Sequence, residues 1–366
     1  MEKIYKELEK VLIEFAKKEE NIEEYNPYTD LNLDNIIDRF YKSYEANDDD
    51  LLAREFSWYK NILGVNNLTK KYKNCANVHY GIPTHYHGDI YNGKLYTCLF
   101  NPRSEILTDD ISTKDVNIGQ YFAISSKLIV DKNHDLKMSY DHELINKNYD
   151  NKSIPYSEIK AYIRSDKALL VKELEDYNKN INSTTDKEHP TKLSDFYYLS
   201  KYFGPILRDK GYLKDEQGQE IKGWDREKIN KIVNLELRIF RSRGKNALAS
   251  KKQIVNDDFS TYSALIILYR LGKYLNNKKD KPIFVFRAFK DWELAFNVAF
   301  EKIYKKVGKL DKNNYSDYFA FLKENYFWGY PAQRATLSRN NLRTYKNKPE
   351  GDRISDEDYK YLLSLF

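Results

Sequence analysis

With 366 residues, 41% of them hydrophobic, the chain can bury a substantial core, either as one enlarged domain or as two smaller ones. Two cysteines, Cys75 and Cys98, are too few for a disulfide framework, a four-cysteine zinc site or a cysteine-held iron–sulfur cluster, which points to a reducing environment. The 61 basic residues are nearly matched by 55 acidic ones, so a formal charge of +6 permits a nucleic-acid partner without demanding one.

The chain opens on a helical pattern. Ile4, Leu8, Val11, Leu12 and Phe15 recur at three- and four-residue spacing, with Lys and Glu on the other faces. Residues 1–20 hold no continuous apolar segment, so neither a signal peptide nor an anchor is read there, and no later stretch approaches a membrane span. A cytoplasmic protein with no membrane partner is expected. Further helical patterns at 33–44 and 51–63 make residues 1–75 a helical N-terminal layer, followed by an α/β domain over 76–366.

His79, His85 and His87 precede the first strand. A His-x-His pair can bind zinc, but no Cys pair or His-Glu helix motif supplies further ligands, so no metal is expected. Neither a P-loop, a dinucleotide fingerprint nor a Gly-x-Ser-x-Gly elbow occurs, and no cofactor is expected.

Four apolar runs have strand length: residues 94–100, 231–237, 282–286 and 326–329. The gaps between them far exceed a hairpin loop and carry helical patterns, such as 260–275 and 291–307, which predicts crossover connections. The expected class is α/β, a three-layer fold around a central four-stranded parallel sheet. The longest gap, 104–230, has helical patterns at 156–177 and 193–207 and is expected to form a helical insertion over 130–225, capping the strand ends.

Ligands of open parallel sheets collect at the C-terminal strand ends. The first run ends in Asn101-Pro102-Arg103, and the second contains Asn234 and leads into Arg238, Arg241, Arg243 and Lys245. The third ends at Arg287. The fourth runs into Tyr330-Pro331-Ala332-Gln333-Arg334, followed by Ser338-Arg339-Asn340-Asn341-Leu342 and Arg343. This order of motifs resembles the uracil-DNA glycosylase superfamily, especially divergent bacterial members in which a strand ends in Asn-Pro and a late loop ends in Ser-x-x-Asn-Leu. The resemblance covers residues 80–366, with the long insertion unmatched.

The resemblance implies a hydrolase that extrudes a base from DNA and cleaves its N-glycosidic bond. Asn101 would orient water beside the developing oxocarbenium ion, although an Asn-Pro pair also serves simply to end a strand. Tyr121 or Phe122 would stack on the extruded base, and Asn234 would read its hydrogen-bonding edge, the alternative being an amide that caps neighbouring backbone. Arg287 would complete the substrate face or pair with an acidic neighbour. Tyr330 stands where the family carries a His or Asn; a phenol can donate to a departing base but cannot become a charged donor. Arg103, Arg241, Arg243, Gln333, Arg334, Ser338 and Asn340 would hold the DNA backbone. The departures at Tyr330 and around Asn101 direct the expectation towards a modified base, in a setting of defence against phage DNA. The competing expectation is a noncatalytic DNA-binding base sensor or inhibitor on the same fold.

Overall fold

The computed structural model describes residues 2–28, 85–100, 164–182, 193, 196–213, 221–239, 255, 257–330, 336–346, 348 and 350–366. In chain order the elements before the central strands are α1 (Glu2–Phe15), α2 (Glu20–Glu23), β1 (Tyr86–His87), β2 (Leu95–Leu99), β3 (Arg164–Ser165), α3 (Leu169–Asn182), a π-helix (Tyr198–Tyr202), α4 (Gly204–Asp209) and α5 (Arg226–Ile229). They are followed by β4 (Ile232–Glu236), α6 (Asp258–Asn277), β5 (Ile283–Phe286), α7 (Phe289–Val307), a 3-10 turn (Lys312–Asn314), α8 (Tyr315–Asn325), β6 (Phe327–Gly329), β7 (Arg343–Thr344), β8 (Asp352–Arg353) and α9 (Asp356–Ser364).

The class is mixed α/β. The four apolar runs become β2, β4, β5 and β6, and each adjacent pair in the order β4-β2-β5-β6 is parallel. The sheet is nevertheless wider than four strands and mixed in direction, with the full order β3-β1-β4-β2-β5-β6-β7-β8. β1 joins β4 antiparallel, and β7 and β8 extend the other edge antiparallel. These added strands have two residues each, too few to display a period of two, so the sequence pattern could not announce them. The insertion is likewise not purely helical: its residues Arg164–Ser165 form the β3 edge, pairing parallel with β1.

Alternating side chains divide the interior into two cores. Tyr96, Cys98, Val233, Leu235, Phe284, Phe286 and Phe327 join α1, α6, α7 and α8 on one face. Leu95, Leu99, Ile232, Ile283 and Val285 join α3, the π-helix, α4, α5 and α9 on the other. Burial on both faces is why the central strands read as continuous apolar runs. The crossover helices obey one hand: those described between β2 and β4 cover the second face, and those leading to β5 and β6 cover the first.

α6 is buried along nearly its whole length and lies between the sheet and α1. Asp257 begins it by accepting from the backbone N–H groups of Phe259 and Ser260. α1 packs so closely on α6 that a Cβ at Gly272 would lie 2.2 Å from the Leu12 carbonyl oxygen, so only glycine permits this crossing. Residues 33–44 and 51–63, expected to be helical, lie outside the described residues.

Candidate functional site

The chain leaves β2 towards β4 on one side and returns to β5 on the other, which makes the C-terminal ends of β2 and β5 the topological switch point, the usual crevice of an open α/β sheet. Arg287 stands there. Its backbone N–H continues the ladder to the Cys98 carbonyl at 2.9 Å, and the next residue, Ala288, takes a left-handed conformation (φ 61°, ψ 51°) before α7 begins. An alanine in that region is strained by about 1–2 kcal/mol relative to the right-handed form, which the packed strand-to-helix turn must offset.

Because Phe286 points into the first core, alternation turns Arg287 to the second face. Tyr330, just past β6, packs on that face, and its hydroxyl donates to the Tyr202 hydroxyl at 3.0 Å. Tyr202 belongs to the π-helix, whose Tyr198 lies edge-on to it, and Tyr197 just before the helix completes the aromatic group. π-Helical turns often occur where a helix must present side chains to a site. The phenols are held protonated. Burial, then the neighbouring Tyr202, pushes Tyr330 well above the ordinary phenol value of 10.0, with Arg287 opposing the rise. Burial also raises Tyr202, opposed by the hydrogen bond from Tyr330 and by Arg287. Tyr198 is raised by burial and then by the charge of Glu236.

Glu236 is the last residue of β4, opposite Leu99 of β2, and is 4% exposed. Two residues earlier on the same face lies Asn234, 2% exposed and paired in register with Thr97 of β2 and His87 of β1. The Asn234 side-chain nitrogen donates to Thr97 Oγ1 at 2.8 Å, and Thr97 Oγ1 donates to the Val233 carbonyl at 3.2 Å. The Asn234 carbonyl oxygen is buried without a hydrogen-bond partner. Leaving such an acceptor unmet costs about 1–3 kcal/mol, a cost that a partner bound there would remove.

Of the residues singled out from sequence, the described part of the structure brings Tyr330, Arg287 and Asn234 to the C-terminal end of one sheet face. Ser338 and Asn340 lie in the turn that follows, tied to the π-helix by the Leu337 N–H to the Tyr202 carbonyl at 2.9 Å. Ser338 is half-buried, and Asn340 is exposed, its carbonyl accepting from Arg343 at 2.8 Å. Asn101, Arg103, Tyr121, Phe122, Arg241, Arg243, Gln333 and Arg334 lie outside the described residues.

Other arginines of the expected basic face have structural employment. Arg238 is fully buried and paired with Asp257 at 3.0 Å, where desolvation draws both groups towards neutrality against their mutual attraction. Arg339 pairs with Asp356, and Arg343 donates to the Asn340 and Leu342 carbonyls. Charge after a strand thus did not imply exposure: at Arg238 the chain is still passing between β2 and α6.

The two described histidines are buried and occupy different faces. His85 packs among Tyr28, Tyr86, Phe259 and Tyr262 in the first core. Its Nε2 lies 2.9 Å from Ser263 Oγ, whose own proton goes to the Glu236 carbonyl at 2.9 Å, so the imidazole must donate to the serine and cannot activate it as a base. Among the described residues, no group of three His, Cys, Asp or Glu side chains could hold a metal ion, and no helix is long and apolar enough to cross a membrane.

Sequence reasoning missed Glu236, Thr97 and the Tyr197, Tyr198 and Tyr202 group. The signal for the first two was present, since both are polar residues on strands otherwise apolar, and Glu236 falls on the face of Asn234 by a period of two. The tyrosines carried no such mark, because they lie on and just before the π-helix, and Tyr202 meets Tyr330 across 128 residues of sequence. Compared with protein-family models, with curated proteins and with solved structures, the chain matches none.

Proposed function

We propose that the protein is a DNA glycosylase that hydrolyses the N-glycosidic bond of a flipped-out, modified base and leaves an abasic site. The observation that carries this reading is the unmatched Asn234 oxygen, sunk one pleat below strand ends that present Arg287 and Tyr330, with Tyr202 of the π-helix bonded to Tyr330 and Tyr198 beside it. A nucleobase has the complementary chemistry: polar groups along one edge and a flat π-surface that neutral phenols can contact.

In the proposed reaction a water oxygen, oriented by Asn101, bonds to the anomeric carbon as the bond from that carbon to the base nitrogen breaks. The electron pair leaves with the base. Arg287 favours the negative charge developing there, and the Tyr330 hydroxyl, redirected from Tyr202, donates to it. The proton lost by water balances the one the departing base takes up. DNA would be held by Arg103, Arg241, Arg243, Gln333, Arg334, Ser338 and Asn340. A setting in defence against phage genomes with modified bases fits a site that departs from the uracil pattern at Tyr330.

The test is an abasic-site assay on duplex and single-stranded DNA carrying a panel of modified bases. Strand scission after alkali is expected for at least one base, and Asn101→Ala should lose it while retaining DNA affinity. One observation favours a second reading, a noncatalytic base sensor: the Tyr330 proton is already committed to Tyr202 and strongly retained. That reading predicts binding without scission on every base, with Asn101→Ala leaving biological activity intact.

A further inference from the structure

We infer that Thr97 is a positioning residue that fixes the polarity of Asn234, so that the site takes a base through an N–H donor. The inference rests on the base-binding reading above and adds which hydrogen-bonding partner the bound edge must present.

The argument follows from proton counting. A threonine hydroxyl has one proton, and that of Thr97 points at the Val233 carbonyl, which can only accept. Thr97 Oγ1 therefore has only lone pairs left for Asn234, and the amide must turn its nitrogen, not its oxygen, towards it. An Asn amide can otherwise be flipped end for end with little change in shape, and only its partners decide the orientation. Here the decision is made by two backbone-anchored atoms on adjacent parallel strands, whose register places Thr97 directly opposite Asn234. The amide oxygen is left facing away from Thr97, buried and unmatched. A ligand edge offering only acceptors would leave that oxygen unmet, whereas an exocyclic amine or a ring N–H would satisfy it.

Thr97→Val removes the hydroxyl at nearly constant shape on a β-strand, where valine is well tolerated. It frees the amide to turn. Thr97→Ser keeps the hydroxyl.

The probes are two pairs of single-stranded oligonucleotides, each pair differing at one nucleotide: cytosine against 2-pyrimidinone, which lacks the amine, and uracil against 3-methyluracil, which lacks the ring N–H. Equilibrium affinity is read by fluorescence anisotropy, with strand integrity checked afterwards. The full-length wild-type protein should prefer the donor-bearing member of at least one pair by about tenfold or more. Thr97→Val should shrink that preference to about twofold, and Thr97→Ser should preserve it. Thr97→Ala, which also removes the hydroxyl, should shrink the preference as Thr97→Val does and serves as a check independent of the folding of the valine variant.

Equal affinity within both pairs for the wild-type protein overturns the inference. So does a full preference retained in both Thr97→Val and Thr97→Ala, or a preference lost in Thr97→Ser. Failure of the wild-type protein to bind any of the four strands overturns the base-binding reading itself, which separates the two failures.

Discussion

The two faces of the sheet are built from the same strands but to different ends. On the first, Phe284, Phe286 and Phe327 meet Trp292, Phe296 and Phe319 in a continuous aromatic core, with α1 and α6 closing over it. On the second, Thr97, Asn234 and Glu236 interrupt the apolar residues of the strands, and the phenols of Tyr198, Tyr202 and Tyr330 gather at the strand ends. β2 and β4 thus carry apolar residues alone towards the first core and set polar groups among the apolar residues of the second. Substitutions on the first face should act on folding, and those on the second on ligand binding.

The largest effect should come from Asp257, which both caps α6 and neutralises the buried Arg238. Asp257→Ala would strand a guanidinium in the interior and remove the cap, a destabilisation of about 3–5 kcal/mol. Urea unfolding would measure it. Replacing both partners, in Arg238→Met with Asp257→Leu, should recover much of the loss, because no isolated charge then remains.

Next in size is Gly272→Ala. The added methyl would enter the Leu12 backbone, which has no flexible end to move aside, so α1 must shift from α6 at a cost of about 1–3 kcal/mol. Thermal melting should fall, while the strand ends on the opposite face keep their geometry and DNA affinity is unchanged. A parallel loss of affinity would show that the two faces are not separable.

On the second face, Asn234→Leu should reverse the pattern. It removes an unmatched buried acceptor and replaces it with an apolar side chain of the same branching, so stability should stay within about 1 kcal/mol of wild type or rise. Binding of the preferred oligonucleotide should be lost. A large destabilisation would instead identify Asn234 as a structural amide and remove the principal support for the site.

The same contrast explains what was legible in the sequence. The four central strands and the helices α1, α6 and α7 were readable because burial on two faces produces long apolar runs, and burial on one produces a three-to-four periodicity. Tyr330, Arg287 and Asn234 were readable because strand ends are where an α/β sheet concentrates polar groups. The two-residue strands β1, β3, β7 and β8 were not, since their pairing is decided by neighbours distant in sequence. Nor was the fate of Arg238: only the packing of α6 places Asp257 beside it. The expected helix at 193–207 is broken into a π-turn and a short α-helix, with Gly204 and Pro205 opening the latter, so the phase that brings Tyr198 and Tyr202 to the site departs from the simple helical period.

The smallest effect expected distinguishes the phenol cluster from ordinary surface tyrosines. Tyr330 is raised above 10.0 in the folded protein, chiefly by burial, so folding favours its protonated form. Its contribution is fully present below pH 10 and is lost as pH rises from there through the folded value, because the unfolded chain releases the proton first. Tyr330→Phe removes one hydrogen bond and should lower stability by about 1 kcal/mol below pH 10. Above pH 10 the wild-type protein should lose stability faster than the variant, and the gap between them should close. Paired urea titrations on either side of pH 10 isolate this one group from the other tyrosines. A gap that widens with pH would mean that the Tyr330 proton is not held by the fold, and with it would go the assignment of Tyr330 as a protonated donor at the strand ends.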